Sequence, residues 1–181
     1  MNQKSRAFFF LLFFLVFLLT VACQHKPDER QRSSPLRIAV AANVQFAIEE
    51  IEALFESETG TATEIIISSS GKLTAQIMEG APFDVFLSAD MKYADSLHNR
   101  QMAIHAPLVY AYGSLVAWTF ESHPLENLQD LLLNTKEVNK IAIANPANAP
   151  YGLQTVNFFE NKGILEDVKP KLVYGESIAQ T

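Results

Sequence analysis

The chain has 181 residues with one cysteine, 14 basic and 20 acidic side chains, and a net charge of −6 at pH 7. The acidic balance argues against nucleic acid as a partner, and a single cysteine excludes a disulfide framework or a thiolate metal cluster. An anion bound by such a chain has to be held by local dipoles and hydrogen-bond donors, not by overall charge.

In chain order, the first 23 residues have the layout of a secretory signal. Lys4 and Arg6 precede an unbroken apolar run from Ala7 to Leu19, and small Ala22 stands directly before Cys23. The run is short for a membrane span of about 20 residues. "LLTVAC" resembles the lipobox of bacterial lipoproteins, although Thr20 stands where Leu is usual. The resemblance implies that Cys23 is lipidated and becomes the mature N-terminus. Residues 24–35 are polar and read as a flexible tether. Loss of Lys4 and Arg6 with the signal leaves 12 basic residues against 20 acidic ones, a net charge of −8.

From Leu36 onward strands and helices alternate. "LRIAVAA" predicts a strand, and residues 44–59 an amphipathic helix with Ala47, Ile48, Ile51, Leu54 and Phe55 at helical spacing, closed by Gly60. "ATEIIIS" is a second strand, 72–79 a second helix stopped by Gly80 and Pro82, "FDVFLS" a third strand, and 91–100 a third helix. This order favours an α/β fold with mostly parallel sheets and helices on both faces. "LVYAYGSLVAWTF", residues 108–120, exceeds an ordinary strand of about 5–6 residues. It reads as two strands joined by a crossing between lobes near Gly113, dividing lobe I (36–112) from lobe II (113–181). Lobe II repeats the theme: a helix over 125–133, the strand "KIAIAN", the loop "PANAPYG", a helix over 153–161, the strand "KLVYG" and a helix starting in "ESIAQT". The chain stops there, so the C-terminal part of the fold is expected to be missing.

Four strand-to-helix turns carry small polar residues: one with Asn43 at an expected N-cap, one with Ser70 before Gly71, one with Tyr151 and Gly152, and one with Glu176 to Ile178. Asn and Ser in such turns cap helices for about 1 kcal/mol with no ligand present. In a parallel sheet, however, all four turns lie at the carboxyl ends of strands, where open α/β folds bind ligands. "SSSGKL" is not a P-loop, because Ile66 stands where the first glycine is needed and Leu73 follows Lys72. His25, His98, His105 and His123 lack metal-ligand spacing, and no Gly-x-Ser-x-Gly elbow occurs. Asp84 and Asp90 read as turn and cap residues. The sequence carries no catalytic signature, so no enzyme is expected.

The segments "VAANVQFAIEEIEALFESETG", "SSSGKLTAQIMEGAPFDVFLSAD", "NPANAPYG" and "YGESIAQT" resemble the periplasmic molybdate-binding proteins of ABC importers, a family with the two-lobed type II solute-binding fold. The resemblance runs from about Leu36 to Thr181. It implies an oxyanion held by Asn43, Ser70, Tyr151 and the backbone N–H of Ile178. Many relatives have Ser at the position of Asn43, and family members continue for several tens of residues past this chain's end. At pH 7 molybdate, tungstate and sulfate carry no proton, whereas phosphate usually does. A pocket of donors alone suits the first three and leaves a phosphate proton unpaired, at about 1–3 kcal/mol.

The expected function is capture of molybdate, and tungstate, for an ABC importer by a lipid-anchored protein of the periplasm or cell envelope. The alternatives are another oxyanion such as sulfate, or an envelope sensor or enzyme on the same fold. Expected partners are the molybdate oxyanion, a membrane permease and a lipid anchor; no nucleic acid and no cofactor are expected. Molybdenum would be bound as its oxyanion with no metal directly coordinated, by a monomer when the fold is complete. Cys23→Ser is expected to block lipidation and alter processing. A mutant of unchanged gel mobility that still partitions with membranes would make the apolar run itself the anchor.

Overall fold

The computed structural model describes residues 34–120, 127–134 and 138–181. The expected signal with Cys23, and the tether as far as residue 33, lie outside the described residues. In the N-terminal half, strand β1 (Leu36–Ala41) pairs in parallel with β2 (Thr63–Ser68) on one side and β3 (Val85–Leu87) on the other, giving the order β2-β1-β3. Leu36 lies opposite Thr63 and Ala41 opposite Ser68, while Ile38 lies opposite Val85. Two helices make the connections, α1 (Gln45–Thr59), entered through a short 3-10 turn at Ala42–Val44, and α2 (Ser70–Met78), and α3 (Met91–Asn99) follows β3. Parallel pairing requires such crossovers, because consecutive strands must restart at the same end of the sheet. As the middle strand, β1 buries Ala39, Val40 and Ala41 completely or nearly so.

The C-terminal half holds α4 (Leu128–Leu133), β4 (Ile141–Ala144), α5 (Pro150–Asn161), α6 (Leu165–Val168) and β5 (Leu172–Gly175), with β4 and β5 parallel. Leu132, Ile143, Phe159, Ile164 and Val168 form its core. The buried Lys171 ammonium donates to the Leu132 carbonyl at 2.6 Å, supplying a partner to a carbonyl of the last turn of α4. No helix among the described residues is long and apolar enough to cross a membrane.

Four expectations need correction. First, no residue of 108–120 belongs to a strand. A strand is a ladder and needs a neighbouring backbone, and no strand of the described residues lies beside this run; Leu108, Tyr112, Val116 and Phe120 are each more than 85% exposed. Second, the apolar stripe of α1 is not one buried face. Ile48 is buried, but Ile51 and Leu54 stand out in solvent beside Phe46. Spacing aligns residues on a helix, and only a packed neighbour buries them. Third, α5 starts at Pro150, three residues before the expected start, because proline suits the first helical position. Fourth, the expected final helix is a 3-10 turn at Ile178–Gln180. Residues 125–126 of the expected fourth helix lie outside the described residues.

Phe159 sits in the second core at 3% exposure, whereas Phe46 on α1 is 80% exposed. Phe159→Ala is expected to lower unfolding free energy by about 3–5 kcal/mol, and Phe46→Ala to change it by about 0.5 kcal/mol or less. Urea unfolding followed by circular dichroism checks both.

Candidate functional site

Because β1, β2 and β3 run in one direction, their carboxyl ends open at the same edge of the sheet. Asn43 leaves from β1, Ser70 from β2 and Ala89 from β3, while Tyr151 follows β4 and Ile178 follows β5. The structure gathers Asn43, Ser70, Tyr151 and Ile178 around one small cleft, together with Ser69, Ala89, Ala149, Pro150 and Ser177. Its free space is about 10 Å³, room for about one water-sized centre and too small for an organic solute. It adjoins a wider cleft of about 540 Å³ through Asn43, Ala89 and Tyr151.

Ser70 is 1% exposed, and its Oγ accepts the Ala89 N–H at 2.9 Å. With that lone pair engaged, the hydroxyl hydrogen is left to donate into the cleft. Ser70 is not the cap of its helix. Ser69 is: its Oγ accepts the Lys72 N–H at 3.4 Å, and Ser70 occupies the first helical position. The Thr74 hydroxyl donates to the Ser70 carbonyl at 2.8 Å and steadies the same turn.

Asn43 likewise does not cap α1. The residue before that helix is Val44, which makes no side-chain cap bond, and Asn43 lies inside the preceding 3-10 turn. Its side chain meets the Tyr110 phenol, and its Oδ1 is buried with no hydrogen-bond partner. The amide NH2 therefore faces the phenol oxygen, and Oδ1 is the end of the side chain without a partner. Burial pushes the Tyr110 phenol above its ordinary range and the nearby Tyr151 adds to this, while the Asn43 hydrogen bond opposes it. The phenol therefore stays neutral at pH 7 and donates to the Ser88 carbonyl at 3.1 Å.

Tyr151 is the second residue of α5 and Ile178 the first of the 3-10 turn, so neither N–H has an acceptor within its own helix. Gly152 makes this geometry possible. A Cβ there would overlap the Ala144 carbonyl at the end of β4, so only glycine lets the helix start this close to the strand.

None of the eleven lining residues carries a formal charge. The carboxylate of Glu176, in the same turn as Ile178, does not line the cleft and instead binds Lys72 Nζ at 2.5 Å. Asp84 and Asp90 also turn away: Asp84 Oδ2 accepts the Arg37 N–H at 2.8 Å, and Asp90 caps α3 by accepting the Tyr93 N–H. No group of His, Cys, Asp and Glu suited to a metal ion occurs among the described residues. Sequence reasoning missed the lining role of Ala89 and the Tyr110 support of Asn43. The small residues of "LSAD" after the third strand were the available signal for Ala89, whereas nothing local marks Tyr110.

The sequence profile of a family described as bacterial extracellular solute-binding proteins matches residues 36–181. The chain is 37% identical over 143 residues to the molybdate-binding protein ModA of Rhodobacter capsulatus, which covers 78% of this chain and 56% of that protein. It is 34% identical over 150 residues to the molybdate-binding protein ModA of Azotobacter vinelandii, covering 82% and 59%. The solved structure of the Azotobacter vinelandii periplasmic molybdate-binding protein superposes with a TM-score of 0.75 at 34% identity, over 80% of this chain and 64% of that one. The chain thus spans about three-fifths of the length of the relatives it matches. With parallel strand ends, a shared cleft and a profile match that begins at β1, the chain belongs to the bacterial extracellular solute-binding protein family.

Proposed function

We propose that this protein captures molybdate, and tungstate, outside the cytoplasm for an ABC importer. The observation that carries the reading is a small cleft with no charged lining residue, bordered by turns from four strand ends, with the Glu176 carboxylate of the last turn tied back to Lys72. Ser70 offers a hydroxyl, Asn43 an amide, and Tyr151 and Ile178 first-turn N–H groups. The start of α2 and the start of α5 add the positive ends of two helix dipoles, which offset the charge of a divalent oxyanion with no Lys or Arg in contact. No carboxylate lines the cleft to take up the proton of phosphate, which disfavours that ion. The relatives named as molybdate-binding proteins favour molybdate over sulfate, the second oxyanion the same donor set suits.

On this reading the ligand is bound and released unchanged, and the protein is not an enzyme and uses no cofactor. The ion-loaded form docks on a membrane permease, in the periplasm or cell envelope, as a monomer. Cys23 carries a lipid that holds it at a membrane, and nucleic acid is not a partner.

Calorimetry of the chain against molybdate, tungstate, sulfate and phosphate tests the reading. Heat with the first two and none with phosphate is expected; binding of phosphate alone would sink it. Ser70→Ala removes one hydrogen bond to a charged group, about 1.5–3 kcal/mol, and should weaken molybdate binding by about 10- to 150-fold. Ser69→Ala removes the helix cap and should cost about 1 kcal/mol of stability. Equal affinity in Ser70→Ala and the parent protein would take Ser70 out of the site.

A further inference from the structure

Outside the anion cleft, one corner joins the two halves through three donor–acceptor contacts. The Gly71 N–H, in the first turn of α2, donates to the Asn148 carbonyl at 2.9 Å. The neighbouring Lys72 Nζ meets the Glu176 carboxylate at 2.5 Å, in the turn after β5. From α3, the Tyr93 hydroxyl donates to the Ala147 carbonyl at 3.5 Å. All three donors come from the N-terminal half and all three acceptors from the C-terminal half. None of these residues lines the anion cleft, so the anion does not account for them.

Gly71 marks how tight the corner is. Its φ is not in the left-handed region, so its backbone conformation does not call for glycine. In a helix, glycine is also a poorer choice than alanine. The reason for it is contact: a Cβ at position 71 would lie 2.8 Å from the Asn148 carbonyl oxygen, 2.9 Å from the Asn148 Cα and 2.9 Å from the Tyr93 hydroxyl. Two of those atoms are backbone and cannot rotate away. A methyl group there has to push the halves apart.

We propose that the Gly71–Lys72 corner is a clasp that closes the two halves over the anion, with both residues acting as positioning residues. Lys72 adds selectivity, because it holds Glu176 out of the cleft. Glu176 is two residues from Ile178; released, its charge would repel a divalent oxyanion and its oxygens would offer an acceptor to a protonated phosphate. The Lys72 and Glu176 side chains are 39% and 67% exposed, so salt screens their attraction and loosens the clasp. This rests on the reading of the cleft as an oxyanion site.

The test uses the parent chain with Gly71→Ala, Lys72→Met and Lys72→Arg. Amide hydrogen exchange at position 71, measured with no anion, reports the clasp directly. Exchange should be slow in the parent and in Lys72→Arg, and faster in Gly71→Ala and Lys72→Met. Stopped-flow release of molybdate should quicken by about tenfold in Gly71→Ala and by about two- to fivefold in Lys72→Met. Added salt should quicken release in the parent more than in Lys72→Met, and phosphate should bind Lys72→Met better than the parent. Lys72→Met is a surface change that keeps the fold, so it decides the matter if Gly71→Ala misfolds. A parent that binds neither molybdate nor tungstate removes the oxyanion reading, while exchange at position 71 still judges the clasp. Equal exchange at position 71 in parent, Gly71→Ala and Lys72→Met overturns it.

Discussion

Because β1 hydrogen-bonds in parallel to β2 on one side and to β3 on the other, residues 42–43, 69–70 and 88–89 leave the sheet at a common edge. The β4–β5 pair does the same for the turns that hold Tyr151 and Ile178. Everything at the site depends on this shared direction. An antiparallel neighbour would send its turn to the opposite end of the sheet and leave the cleft without a wall. Parallel pairing also obliges each connection to cross back as a helix, so every strand end delivers a helix start with free N–H groups. A donor-rich pocket is therefore a by-product of the topology, which small side chains at the turns leave open.

The electrostatics of the pocket differ in kind from those of the chain. The chain is acidic, yet no charged side chain lines the cleft, and on the proposed reading its donors are backbone amides, an amide side chain and a hydroxyl. Such donors are fixed in place by the helices that own them, and they cannot titrate. Ser70 shows how closely they are arranged. Its oxygen accepts the Ala89 amide, which leaves its hydrogen free to donate, and its neighbour Ser69 does the capping. Two adjacent serines of the same type thus perform different tasks because the helix begins between them.

Apolar surface tells a second physical story. The 108–120 run has the β-branched and aromatic composition of strands, yet it is largely exposed and unladdered among the described residues. The outer residues of α1 behave alike, with Ile51 and Leu54 in solvent although they share a helical face with buried Ile48. In both places the side chains carry the composition of buried structure, and burial follows from neighbours supplied by other segments.

By itself the sequence determined what is local. Alternating β-rich and amphipathic runs, with Gly60, Gly80 and Pro82 as punctuation, specified the order of strands and helices. Small polar residues after four of the strands marked the turns that meet at the cleft. These signals are legible because they arise from backbone preferences within a few residues. Tertiary structure alone decided the rest. It placed Ser69, not Ser70, as the cap, buried the Asn43 amide against Tyr110 some 67 positions away in the chain, turned Glu176 toward Lys72, and left 108–120 without a ladder. Each of these turns on contacts between distant segments, whose energies depend on distance and shape in space, and no pattern along the chain encodes them locally.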